Sequence, residues 1–141
     1  GVDQGAKLVV DGRDFTLQGY ENGFFVGPSL FDNVTPDMDI YKEEIFGPVA
    51  TVLTFNDADE AAMIANDTAF GLASGLWTND LKKAHTFARR IKAGTVWINT
   101  YNMTDNALPF GGYKESGFGR ELGRAALDMY TQLKTVWVDL N

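Results

Sequence analysis

Between Val49 and Ile98 the sequence changes period four times within fifty residues, and this alternation restricts the fold more than any other feature. Val49–Phe55 is a β-branched, apolar run. Asp57–Thr68 reads as a helix, with Asp57 at the N-cap and Glu60 three residues on, where the return arm of a capping box belongs. Leu72–Trp77 is strand-like again. Leu81, Ala84, Phe87, Ala88 and Ile91 recur at helical spacing, Gly94 stands where a left-handed residue would close that helix, and Thr95–Ile98 is a third strand. Strand, helix, strand, helix, strand with short connections predicts two crossover units on a parallel sheet, hence an α/β fold built on a parallel-sheet layer.

The flanks read differently. Residues 1–34 alternate short apolar runs (Lys7–Val10, Phe24–Val26) with Asp11-Gly12 and Asn22-Gly23, so short strands and tight turns are expected. Asn99–Gly119 has no period and is crowded with Asn, Gly and Pro. A loop of that length in a compact domain is usually a functional one. Glu121–Gln132 reads as a further helix and Lys134–Leu140 as a final strand with Val136, Val138 and Leu140 on one face. No linker composition divides the chain.

Composition then removes whole classes of function. Among 141 residues there is no cysteine, so neither a disulfide framework nor a thiol nucleophile can come from this chain. The single histidine, His85, rules out a site that needs several imidazoles, and no metal site is expected. A net charge of −7 repels phosphate backbones and anionic lipid heads, so neither nucleic acid nor membrane is an expected partner. No apolar run approaches the roughly 20 residues of a membrane span. The chain starts Gly1-Val2-Asp3-Gln4, without a basic or hydrophobic leader, which is the expectation for an excised piece of a cytoplasmic protein.

Two segments carry candidate chemistry. Glu44-Ile45-Phe46-Gly47-Pro48 sets a carboxylate and a ring two residues apart before a Gly-Pro stop. In extended backbone both project to one side, so the acid could grip neighbouring hydroxyls while the ring lies on a flat heterocycle. A solvated Glu beside a turn Phe is the plain alternative. Phe110–Glu121 is dense in glycine but misses the dinucleotide fingerprint by one position and lacks the Gly-Lys-Ser/Thr of a phosphate loop, which leaves close backbone packing as its plain reading.

Lys42–Pro48, Gly94–Asn99 and Pro109–Glu121, in this order and spacing, closely resemble the C-terminal part of the NAD(P)-dependent aldehyde dehydrogenase superfamily, and the resemblance spans essentially the whole chain. It implies a C-terminal part of the catalytic domain over 1–116, a return helix over 117–133 and an oligomerisation strand over 134–141. It implies NAD or NADP as cofactor, an aldehyde as substrate, the remainder of a longer chain as partner, and a homo-oligomer joined through the last strand. Residue by residue, Glu44 resembles the acid on the nicotinamide ribose and Phe46 the ring near the nicotinamide. Thr100, Tyr101, Asn102, Thr104 and Phe110 match positions along the aldehyde tunnel. Glu121 resembles a carboxylate on a proton path, with a dipole-stabilised Glu at a helix start as the alternative.

The family's nucleophilic cysteine, general-base glutamate, oxyanion-holding asparagine and dinucleotide-binding turn all lie upstream of the segment that the resemblance covers. Residues 1–48 look most like the CoA-acylating semialdehyde branch, and Phe110–Glu121 like the branch that releases the acid with water. The resemblance as a whole implies oxidation of an aldehyde to a carboxylic acid. A CoA-acylating semialdehyde dehydrogenase fragment and a non-catalytic binding or assembly module are the alternatives.

Overall fold

A computed structural model describes all residues from Gly1 to Asn141, which fall into two units, Gly1–Asn56 and Asp57–Asn141. The boundary sits at the turn that caps a helix, which is why no linker composition announces it.

The first unit contains β1 (Lys7–Val10), β2 (Ser29–Asp32), the one-turn α1 (Asp39–Lys42) and β3 (Val49–Thr51). β2 is central: antiparallel to β1, with Lys7 opposite Asp32, and parallel to β3, with Ser29 opposite Val49. Phe24–Val26, expected as a strand, has no ladder partner. The chain instead reaches β2 through Gly27, whose amide donates to the Gly12 carbonyl (2.9 Å), and the buried Ser29 hydroxyl accepts from the Gly12 amide (3.0 Å). Ala6, Val34 and Met38 form the core, with Phe31, Ile40, Tyr41 and Leu53 packed on it.

At the end of β1, the Arg13 guanidinium donates to both Asp11 carboxylate oxygens, Nε at 2.8 Å and Nη2 at 2.6 Å. These bonds, followed by one from the Arg13 backbone amide, hold the Asp11 carboxyl down at about 2, against an ordinary 3.8. A depressed folded-state value contributes stability above the unfolded value and loses it as pH falls towards 2. A carboxyl-detected NMR titration is therefore expected to place the Asp11 midpoint near 2, and Arg13→Ala to return it towards 3.8. Asp11 titrating normally in both proteins would remove the pair from solution.

The second unit holds α2 (Ala58–Asn66), β4 (Phe70–Gly71), β5 (Ala73–Leu76), α3 (Leu81–Arg90), β6 (Thr95–Ile98), β7 (Tyr113–Lys114) and α4 (Leu127–Tyr130). Asp57 caps α2 as expected, its carboxylate accepting from the Asp59 and Glu60 amides, and Asp80 caps α3 through the Lys83 amide. β5 and β6 pair in parallel across α3, with Ala73 opposite Thr95 and Leu76 opposite Ile98, so the second crossover is observed. The first is not. β3 pairs with β2 rather than β5, because an apolar run does not specify which edge it joins. Ala62 (3% exposed), Ile91 and Ala93 form the core beneath Phe87 and Val96.

One further expectation is corrected, and one segment has no partner within the chain. The helix over Glu121–Gln132 is reduced to a 3-10 turn at Arg124–Ala126 and the four residues of α4. Leu122 and Gly123 both take positive φ (60° and 57°), which no α-helix accommodates, and Thr131 is extended. Lys134–Leu140 forms no ladder within the chain, since a β-prone segment without an adjacent edge has no partner for its amides. No helix is long and apolar enough to cross a membrane.

Candidate functional site

In the first unit, α1 ends where Glu43 turns extended (ψ 139°) while its amide still donates to the Asp39 carbonyl at 2.8 Å. Phe46 then adopts φ 55°. The even alternation expected of Glu44 and Phe46 is thereby broken, because a left-handed residue redirects the chain. Both nevertheless line one cavity of about 350 Å³, together with Ile40, Glu43, Val49 and Thr51. Phe46 is 91% exposed, and neither oxygen of Glu44 is spent on an intramolecular hydrogen bond. A free carboxylate and an open ring face on one concavity suit a ligand with vicinal hydroxyls and a flat heterocycle.

The second unit builds its cavity around β6. An open concavity of about 580 Å³ is lined by Val96, Trp97, Met103, Thr104, Pro109 and Phe110, among others. The wall that faces β6 is the aperiodic loop, ordered by main-chain bonds. Phe110 and Glu121 exchange a reciprocal pair, each amide donating to the other's carbonyl at 2.7 Å, and the Gly123 amide donates to the Asn106 carbonyl at 2.9 Å. Arg120 closes the glycine segment: its Nη1 donates to the Gly112 (2.9 Å) and Gly119 (2.7 Å) carbonyls, with the guanidinium 5.4 Å from the centre of the Tyr113 ring.

Of the tunnel positions, Thr104 and Phe110 lie in this lining. Tyr101 instead packs edge-on against Trp97 (centroids 4.9 Å apart, 60°), and Thr100 and Asn102 are exposed beside it, Asn102 at φ 58°. Glu121 is exposed and held by its main chain to Phe110 rather than at a helix start, so a helix dipole does not stabilise it. Sequence reasoning missed Trp97, Met103 and Leu122. A signal for Trp97 existed: a buried indole N–H needs an acceptor, and here it donates to the Met103 carbonyl at 2.8 Å.

A crossover pair of parallel strands beside a ligand-sized concavity with a few polar groups places the chain in the α/β class with a candidate binding site. A model of the aldehyde dehydrogenase family matches residues 1–136, and the chain belongs to that family. It is 53% identical over 140 residues to the betaine aldehyde dehydrogenase of Brucella anthropi, covering 99% of this chain and 29% of the relative. An NAD+ complex structure of an aldehyde dehydrogenase from Bacillus cereus superposes with a TM-score of 0.89 at 51% identity, over 100% of this chain and 28% of that one. The P. syringae AldA indole-3-acetaldehyde dehydrogenase, solved as a mutant with NAD+ and IAA, superposes at 0.90 with 50% identity, over 99% and 28%. The chain thus spans less than a third of the length of the relatives it matches.

Proposed function

We propose that this chain is the C-terminal part of an NAD(P)-dependent aldehyde dehydrogenase of the cytoplasm that converts an aldehyde and water to a carboxylic acid. Residues 1–116 would belong to its catalytic domain, 117–133 to the return segment and 134–141 to the oligomerisation strand. The observation that carries the reading is the free Glu44 carboxylate and exposed Phe46 ring on one cavity, in a backbone that superposes on relatives solved with NAD+.

Glu44 would accept from both nicotinamide-ribose hydroxyls, and Phe46 would offer its face to the heterocycle. Held there, a nicotinamide would supply the hydride acceptor for oxidation of the aldehyde carbon. The chain's own part is orientation: a clamp on the ribose fixes where the ring stands, and such positioning is worth several kcal/mol of barrier. Thr100, Tyr101, Asn102, Thr104 and Phe110 would form or support the aldehyde tunnel. Glu121, exposed to solvent, would pass the proton released with the acid. The exposed apolar side chains of Leu133, Trp137 and Leu140 support a homo-oligomer joined through the last strand.

NADH formation by the complete enzyme, with an aldehyde and without CoA, tests the reading. An absolute requirement for CoA, or no aldehyde-dependent reduction at all, would overturn it. Within the working enzyme, Glu44→Gln is expected to remove a charge-assisted pair of hydrogen bonds worth about 1.5–3 kcal/mol, lowering kcat/KM for the cofactor roughly ten- to a hundredfold with the fold intact. Unchanged cofactor constants would show that Glu44 does not hold the ribose.

A further inference from the structure

We propose that Trp97 is a positioning residue for the aldehyde, acting through the Met103 carbonyl to set the loop wall of the 580 Å³ cavity; this rests on the function proposed above. Where β6 ends, the chain is fixed. The Asn99 amide donates to the Leu76 carbonyl (2.8 Å), and the Asn99 side chain grips Thr78 twice, accepting from its amide at 2.8 Å and donating to its carbonyl at 2.9 Å. Beyond this clip, Thr100, Tyr101 and Asn102 are exposed and outside any ladder. The next hydrogen bond to the strand is that of the Trp97 indole, which reaches forward six residues to Met103.

The far end of the wall is held separately, by Gly123 on Asn106 and by the Phe110–Glu121 pair. Met103 and Thr104 therefore depend on Trp97 for their distance from β6. Trp97 is itself immobilised: 8% exposed, with Tyr101 edge-on at 4.9 Å. Gly75 on the neighbouring strand leaves room for that ring, since a Cβ there would meet Tyr101 Cδ2 at 2.8 Å. The indole spends its only N–H on Met103, so it presents no donor to the cavity.

Trp97→Phe in the complete enzyme deletes the donor and keeps a ring. Trp77→Phe is the matched control, because Trp77 is 65% exposed on the adjacent strand end. For Trp97→Phe, amide exchange over Met103–Leu108 is expected to speed up about five- to tenfold and the aldehyde KM to rise by a similar factor. The cofactor KM, kcat within about twofold, and exchange in β6 and α3 are expected to hold. Trp77→Phe is expected to change none of these. Exchange that quickens equally across β6, α3 and the loop would reduce Trp97 to a structural residue and overturn the proposal, as would unchanged exchange over Met103–Leu108. If wild-type enzyme oxidises no aldehyde while the loop still loosens selectively, the function fails and the anchor stands. If wild type is active and neither exchange nor aldehyde KM responds, the anchor fails and the function stands.

Discussion

Replacing Gly94 by alanine is expected to destabilise the second unit by about 3 kcal/mol, at the upper end of what overpacking costs. A Cβ at Gly94 would overlap the Gly111 carbonyl oxygen, with Gly112 Cα close behind at 3.5 Å. Both neighbours are main chain, so no side chain can turn aside to make room. Gly111 cannot simply retreat either, because a Cβ at its own position would sit 3.0 Å from the Arg120 side chain, which pins the segment through Gly112 and Gly119. Gly94 is meanwhile held on its other side, its amide donating to the Gly71 carbonyl at 3.0 Å. Urea unfolding followed by far-UV circular dichroism checks the effect. A midpoint within error of wild type would show that the glycine contact is loose in solution. Gly94 and Phe110 line the same cavity, so the variant is also expected to raise the aldehyde KM of the complete enzyme.

The 141-residue chain made alone is expected to form no NADH with any aldehyde. Covalent aldehyde oxidation needs a thiolate to attack the carbonyl carbon, and the chain contains no cysteine. In a hydrolase, deleting the nucleophile costs on the order of a millionfold in kcat, which places the residue of activity below detection. Adding back the upstream catalytic segment in one polypeptide is expected to restore turnover, whereas adding a small thiol is not, since an untethered thiol forfeits the effective concentration of a positioned one. NADH formation above the protein-free blank from the chain alone would overturn both the expectation and the division of labour behind it.

Local features were legible from the residues in order. The N-cap Asp57, the apolar spacing of Ala84, Phe87 and Ile91, and the β-branched run Thr95–Ile98 each act within a few residues, so α2, α3, β5 and β6 could be placed, and with them the α/β class. The family was legible for a different reason: three long motifs in register are a specific pattern even where the physics of each one is open. Glu44, Phe46, Thr104 and Phe110 were singled out in the sequence and stand on cavity walls, but their roles remain a proposal.

Pairing and reach were decided only in three dimensions. Val49–Thr51 could have joined any edge, and its partnership with Ser29–Phe31 follows from how the first unit folds back on itself. Phe24–Val26 and Lys134–Leu140 have the composition of strands, yet a strand exists only where a second backbone presents its amides and carbonyls. Gly94 shows the same limit at a single residue. Its position after a helix suggests a left-handed cap, but the helix already ends at Ile91 (ψ 126°), and what demands glycine is the Gly111 carbonyl, seventeen residues later. The sequence alone determined α2, α3, β5, β6 and the family, because helix caps, residue periodicity and motif spacing are local along the chain. Which strand meets which, where Trp97 sends its N–H and why Gly94 has no side chain depend on contacts between distant residues, and those the tertiary structure alone decided.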